Sequence, residues 1–362
     1  MLLYRMLNED LIFRLVALLI CSNSQTHLVL AKTDQKMAAV VETKPVVVEA
    51  KPNDSAAELL VFKLGSHTPT SITVETSNIS SPPKSLFIVS PLEQGTYPVI
   101  LFFPGTSLSN NGYSQLFQHI SSHGFIVVSP QLYSLMPPCG NKEVDFAAQV
   151  TNWLPKGLKS NLPAANVEAN LNKLVLAGHS RGGQTAFALS LGYATNPETP
   201  LDQFSALVAI DPVAGTNKCT ELNPSILSYK TFDLTFPVTV IGTGLGGVAA
   251  CMAPCAPEKA NHEKFFKRSK APDKAHFVTK DYGHMDVLDD CPSAFLSRVM
   301  SKCMCANGKG PREAMRRCVG GIVVAFLKDF FSGNLENGDF MKIVLDPSVA
   351  PAVLDCVQFV QE

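Results

Sequence analysis

The sequence has 362 residues, of which 46% are hydrophobic and 17% are charged, and its formal net charge is -1. That length and apolar content allow one large α/β domain or two smaller domains with a sizeable core. The nearly neutral charge argues against nucleic acid or another polyanion as a partner. The 25 prolines and 23 glycines, together with the sparse charges, favour a loop-rich enzyme for apolar ligands over a disordered or coiled-coil protein.

The first 58 residues are expected to lie outside the catalytic fold. Residues 11–21 form an apolar patch that is too short for a membrane span. Acidic residues precede this patch where a signal peptide would carry basic ones. Residues 1–36 are therefore predicted to be a targeting extension or an upstream start, since Met37 offers a second start. Residues 37–58 are predicted to form a flexible tail, and residues 59–362 one catalytic domain.

Apolar runs separated by turn residues predict strands and helices that alternate along the rest of the chain. The predicted strands are residues 71–75, 85–90, 97–103, 125–130, 174–177, 206–210, 237–241 and 275–280. The predicted helices are residues 113–123, 144–154, 184–191 and 316–331. This alternation predicts an α/β fold with a mostly parallel sheet that helices cover on both faces.

A G-x-S-x-G sequence joins the predicted strand at residues 174–177 to the predicted helix at residues 184–191. Strand, G-x-S-x-G and helix in this order are typical of a nucleophile elbow, with Ser180 as the nucleophile. Gly178 and Gly182 are needed there because side chains would collide with the neighbouring strand and helix. The turn places the hydroxyl at a helix N-terminus, where negative charge is tolerated. The alternative is an ordinary glycine-rich turn in which Ser180 only caps the helix.

A serine nucleophile needs a general base, and the base needs an orienting carboxylate. In this class of fold the chain order is serine, acid, histidine, at the ends of strands. Of the histidines after Ser180, His284 is the predicted base because it follows a strand and a glycine. His276 lies within an apolar strand pattern and is expected in the core. His262 is flanked by charged residues and is expected on the surface.

The predicted acid is Asp211, which ends the strand at residues 206–210. The next strand runs into a glycine-rich loop, residues 242–247, which contains no carboxylate. This loop matches G-x-G-x-x-G by spacing, but it lacks the strand–helix–strand context of a dinucleotide site and is predicted to be a tight loop beside the pocket. Asp281 remains the rival acid, whereas Asp286 is expected to cap a turn.

The oxyanion hole is predicted to combine two backbone N–H groups, those of Arg181 and Thr106. Arg181 directly follows the nucleophile, and Gly105 allows the backbone before Thr106 to approach the substrate.

The ten cysteines include no C-x-x-C pair and no histidine at zinc-finger spacing, so no structural metal is predicted. Most of them are expected to be small buried hydrophobic side chains. Disulfide pairing and the redox compartment stay open.

Several separate segments resemble plant chlorophyllases, over about residues 61–359. They are residues 105–110 (GTSLSN), 122–130 (SHGFIVVSP), 178–183 (GHSRGG), 206–215 (ALVAIDPVAG), 237–247 (PVTVIGTGLGG) and 281–288 (DYGHMDVL). The resemblance implies an α/β-hydrolase that cleaves the phytyl ester of chlorophyll to chlorophyllide and phytol, with Ser180, Asp211 and His284 as its triad. Pro104 departs from the family, in which histidine is common at that position.

The resemblance further implies no cofactor, since the magnesium belongs to the substrate, and a chloroplast location with possible peripheral association with pigment-bearing membranes. The endoplasmic reticulum, the vacuole and the cytosol are alternative locations. Loops 131–140 and 216–236 are predicted walls of a wide apolar cleft. A general lipase or carboxylesterase, or a hydrolase-fold receptor without turnover, are the alternative functions. Oligomeric state and preference among chlorophylls stay open.

Overall fold

The computed structural model describes residues 59–134, 136–195, 199–217, 219–250, 253–290 and 304–361. The predictions for residues 1–36 and 37–58 lie outside these ranges. Within them, no helix is both long enough and apolar enough to cross a membrane.

A twisted, mostly parallel sheet forms the middle layer of the fold. The strands of the described residues are β1 (Pro69–Val74), β2 (Leu86–Pro91), β3 (Gly95–Phe103), β4 (Ile126–Pro130), β5 (Val167–His179), β6 (Phe204–Ile210), β7 (Phe232–Asp233), β8 (Val238–Thr243), β9 (Ser269–Lys270), β10 (Asp273–Thr279) and β11 (Leu354–Gln361). Nine of them form one sheet in the order β1-β2-β4-β3-β5-β6-β8-β10-β11, and β7 pairs with β9. The pairs from β4 to β10 are parallel, and antiparallel strands close both edges. The predicted α/β fold is confirmed.

Helices cover both faces of this sheet. They are α1 (Ser114–Ser122), α2 (Lys142–Gly157), α3 (Arg181–Ser190), α4 (His262–Arg268), α5 (Arg312–Ser332) and α6 (Asp339–Leu345). One apolar cluster joins α2, α3 and α4 to one face of the sheet, and a second joins α1, α5 and α6 to the other. Successive residues of β3 enter opposite clusters, Leu101 the first and Phe102 the second. Burial on both faces explains why the central strands are almost continuously apolar.

Five of the elements named above were not predicted: α4, α6 and the strands β7, β9 and β11. The two helices have only seven residues each, which is too short for a helical period to stand out. Strand β5 also begins earlier than predicted, because its polar first half, from Val167, pairs with the start of β3. Backbone pairing, which needs no apolar side chain, extends this strand.

Two disulfides among the described residues correct the expectation for the cysteines. Cys139 is bonded to Cys219, and Cys255 to Cys305, across 80 and 50 residues of sequence. Cys318 is buried as a free thiol and agrees with the expectation. The bonded cysteines lie in loops that only the fold brings together, so their spacing carried no signal of pairing.

Candidate active site

Ser180 occupies the sharp turn between β5 and α3. Its backbone has φ 57° and ψ -125°, a conformation that L-residues rarely adopt. A β-carbon on Gly178 would collide with the carbonyl of Gly182, and one on Gly182 would collide with the carbonyl of Phe103. The two glycines therefore let β5 and α3 pack closely enough to form the turn. This geometry is that of the predicted nucleophile elbow.

The structure brings Ser180, His284 and Asp211 together from the ends of three different elements. The Oγ atom of Ser180 lies 2.8 Å from His284 Nε2, and His284 Nδ1 lies 2.7 Å from Asp211 Oδ2. All three residues are buried, with Asp211 fully so. A serine, an imidazole and a carboxylate in this sequence of contacts can activate the hydroxyl as a nucleophile.

Asp211 is held as a carboxylate by the groups around it. Burial by itself raises the pKa of Asp211, but the hydrogen bond and charge of His284, with the hydrogen bond from Thr243, outweigh it and lower the pKa. The Thr243 hydroxyl donates to Oδ2 at 2.6 Å. Thr243 ends β8 at the start of the glycine-rich loop, so this loop supplies a hydrogen bond to Asp211. Sequence reasoning missed Thr243, although its place at a strand end beside the pocket was a usable signal.

The other carboxylates near His284 have different roles. Asp281 is exposed. Asp286 Oδ2 accepts hydrogen bonds from the backbone N–H groups of Gly283, at 2.7 Å, and Gly308, at 2.6 Å. Asp286 therefore shapes the turn that carries His284, as predicted.

His262 is buried, and the prediction that it lies on the surface was wrong. Its Nδ1 lies 2.8 Å from Nε2 of His276, which is in the core as predicted. His262 begins α4, and the helix turns it inward over Gly242 while Glu263 and Lys264 face outward to a greater extent. Burial lowers the pKa of both imidazoles, that of His276 to about 3, so the pair is neutral.

The loop of residues 105–107, which contains the predicted oxyanion residues Gly105 and Thr106, lies directly against Ser180. A β-carbon on Gly105 would come within 3.1 Å of Ser180 Cβ. Thr106 is exposed, and Ser107 has a positive φ of 57°. Strained backbone of this kind is concentrated at functional sites.

The side chain of Arg181 anchors the elbow to three other segments. Its Nε atom forms a buried ion pair with Glu143 on α2. Its two terminal nitrogens donate to the carbonyls of Thr220, at 2.7 Å, and Pro138, at 3.3 Å. The Cys139–Cys219 disulfide joins the same two loops. The role of the Arg181 side chain was not predicted, because nothing local to the elbow points to Glu143.

No group of three or more His, Cys, Asp or Glu side chains in the described ranges is arranged to hold a metal ion. The hydrogen-bonded Ser180, His284 and Asp211 are the groups that acyl transfer through a serine requires.

The chain is similar to known proteins over most of its length. The model of the chlorophyllase family matches residues 57–361. The chain is 56% identical to chlorophyllase-1, chloroplastic, of Citrus unshiu over 328 residues, which cover 90% of this chain and 96% of the relative. It is 51% identical to chlorophyllase-1 of Arabidopsis thaliana, over 81% of this chain and 90% of that protein, and 45% identical to chlorophyllase-2 of the same plant, over 73% and 82%. The chain therefore belongs to the chlorophyllase family.

Proposed function

We propose that this protein hydrolyses the phytyl ester of chlorophyll through an acyl-enzyme on Ser180. The observation that carries the proposal is the hydrogen-bonded series of Ser180, His284 and Asp211 in a chain of the chlorophyllase family. The reaction belongs to the carboxylic ester hydrolases and needs no cofactor, since the magnesium is part of the substrate.

Acylation begins when His284 Nε2 takes the proton of the Ser180 hydroxyl. The freed oxygen attacks the carbonyl carbon of the propionate ester, and the carbonyl oxygen becomes negatively charged. The backbone N–H groups of Thr106 and Arg181 stabilise this oxyanion. The bond to phytol then breaks, and the proton on His284 passes to the departing phytol oxygen. Asp211 stabilises the imidazolium while it exists.

Deacylation repeats these steps with water. His284 removes a proton from the water, whose oxygen attacks the acyl-enzyme carbonyl. The bond to Ser180 Oγ breaks, Ser180 recovers the proton from His284, and chlorophyllide leaves as the acid. One water molecule is consumed for each ester that is cleaved.

Serine-directed phosphonate labelling tests the nucleophile. A fluorescent alkyl phosphonate is expected to add one label per chain, and peptide mass spectrometry should find it on Ser180. The matched control is Ser180→Ala, which should take up no label and form no chlorophyllide. Labelling of the Ser180→Ala protein to the same extent would contradict the assignment, and a parent protein without label or turnover would favour a hydrolase-fold receptor.

Loops 131–140 and 216–236 are proposed to form the walls of the chlorophyll cleft. Both are held beside the elbow by Arg181 and by the Cys139–Cys219 disulfide. Most of their apolar side chains belong to the core, for example Leu132, Leu222 and Ile226. Met136 differs, because 76% of its surface is exposed and available to an apolar substrate.

Met136→Ser is expected to raise KM for chlorophyll by roughly 10-fold, the effect of losing one apolar side-chain contact. Activity on a short-chain ester should stay within a factor of two, because such an ester does not reach the loop. Steady-state assays of both substrates in the same detergent measure the difference. Ile79→Ser is the matched control, since Ile79 is also exposed but lies near the far end of α2 from the elbow. Equal effects of Met136→Ser on both substrates would contradict the proposed wall.

The protein is assigned to the chloroplast, which agrees with the name of the Citrus unshiu relative. Peripheral association with pigment-bearing membranes is part of the proposal, because chlorophyll resides there. A general esterase on the same fold is the competing function, and strong preference for chlorophyll over short-chain esters separates the two.

A further inference from the structure

A chain of hydrogen bonds behind the triad joins three parts of the active site. The backbone N–H of Gly105 donates to the Tyr113 hydroxyl oxygen at 3.0 Å. The same hydroxyl lies 2.8 Å from His179 Nδ1. On the other side of this imidazole, Nε2 lies 2.9 Å from the backbone carbonyl of His284. This series of hydrogen bonds therefore connects Gly105 in the oxyanion loop, through Tyr113 and His179, to the backbone of His284.

The direction of each hydrogen bond follows from the partners. A carbonyl can only accept, so His179 must carry its proton on Nε2 and donate it to His284. Burial, together with the nearby His284, lowers the pKa of His179 to about 3, so the ring is neutral. Nδ1 is then an acceptor, and the Tyr113 hydroxyl donates to it. The Tyr113 oxygen remains free to accept from Gly105, so every donor meets an acceptor.

The two side chains that form this series of hydrogen bonds, those of Tyr113 and His179, are held rigidly. Tyr113 and His179 are completely buried. The Tyr113 ring packs against Phe102 and Phe117, with centroids 4.9 Å and 5.8 Å apart. The His179 ring lies 4.6 Å from the ring of His284, and its Nδ1 lies close to the site that a β-carbon on Gly105 would fill. Movement of either side chain would therefore shift the oxyanion loop or the base.

We propose that Tyr113 and His179 act as one positioning unit, which fixes the distance between the oxyanion loop and His284. Neither side chain touches the reacting atoms. The unit sets where the Thr106 N–H and the His284 imidazole meet the ester. This inference rests on the proposed function, because it assumes that Ser180 is the nucleophile and that residues 105–107 bind the oxyanion.

Two variants remove the unit with little change in shape. Tyr113→Phe deletes only the hydroxyl, and His179→Leu deletes the donor and acceptor of the imidazole. Each is expected to lower kcat on chlorophyll by about 10²-fold, the effect of a misplaced catalytic group, while KM changes less than threefold. His179→Gln keeps a donor for the His284 carbonyl and should recover part of the loss.

His119→Leu is the matched control. His119 is also a buried histidine, and its Nε2 lies 2.8 Å from the Val61 carbonyl on the face of the sheet covered by α1 and α5. This variant should lose thermal stability as His179→Leu does, yet keep kcat within a factor of two per folded molecule. A positioning role predicts that split between kcat and stability, whereas a purely structural role predicts that the two variants behave alike.

The double variant Tyr113→Phe/His179→Leu tests whether the two side chains are one unit. Its kcat is expected to match that of the less active single variant. Once one substitution has broken the series of hydrogen bonds, the second has no further connection to remove. Losses that multiply would overturn the proposal, as would unchanged kcat in His179→Leu.

Ser180→Ala separates this inference from the function on which it rests. If Ser180→Ala is inactive while His179→Leu has the parent's kcat, the positioning unit is refuted and the acyl-enzyme stands. If Ser180→Ala still forms chlorophyllide, the acyl-enzyme is refuted, and the positioning unit falls with it.

Discussion

Asp211→Asn is expected to lower kcat on chlorophyll by roughly 10⁴-fold in a protein that still folds. Asparagine has the shape of aspartate, but its amide can donate to His284 Nδ1. His284 would then carry its proton on Nε2, which could no longer take the proton of Ser180. The charge that stabilises the imidazolium is lost at the same time. Initial rates of chlorophyllide formation, normalised to folded protein, measure the effect.

Asp281→Asn is the matched control for this prediction. Asp281 was the rival acid by sequence, and it is exposed three residues before the base. Its substitution should leave kcat within a factor of two. A loss in Asp281→Asn as large as that in Asp211→Asn would contradict the assignment of the acid.

Glu143→Gln is expected to lower the free energy of unfolding by about 3–5 kcal/mol, because it leaves the buried guanidinium of Arg181 without a counter-charge. Both partners are almost fully buried, with side chains 1% and 5% exposed. Burial raises the pKa of Glu143, whereas Arg181 and the Thr185 hydroxyl favour its charged form. Urea unfolding followed by tryptophan fluorescence and circular dichroism measures the change.

Glu263→Gln is the control for the ion pair. Glu263 and Lys267 pair on the surface of α4, with side chains 47% and 65% exposed, so that substitution should cost less than about 1 kcal/mol. Replacing both buried partners, as Glu143→Leu/Arg181→Met, should recover much of the loss, since no unpaired charge remains. Equal destabilisation by Glu143→Gln and Glu263→Gln would show that burial of the pair has no effect on stability.

Most of the predictions about the site were made from patterns among residues that are close together in sequence. The elbow lies within a few residues of Ser180, so its glycines and its flanking strand and helix were all visible. His284 was distinguishable from His262 and His276 because it alone follows a strand and a glycine. The prediction for His262 failed because charged neighbours were given more weight than the direction in which a short helix turns each side chain.

The sequence by itself determined the mostly parallel α/β fold and the elbow, since apolar periodicity and local turn chemistry depend on neighbouring residues. The family followed from the resemblance of several separate segments to plant chlorophyllases. The tertiary structure alone decided which distant groups meet. Thr243 supports Asp211, Glu143 pairs with Arg181, and Tyr113 joins the oxyanion loop to His179. Cys139 and Cys219 likewise meet only after folding. These contacts span tens of residues, and their hydrogen-bond geometry depends on strand order and helix packing, which no local pattern encodes.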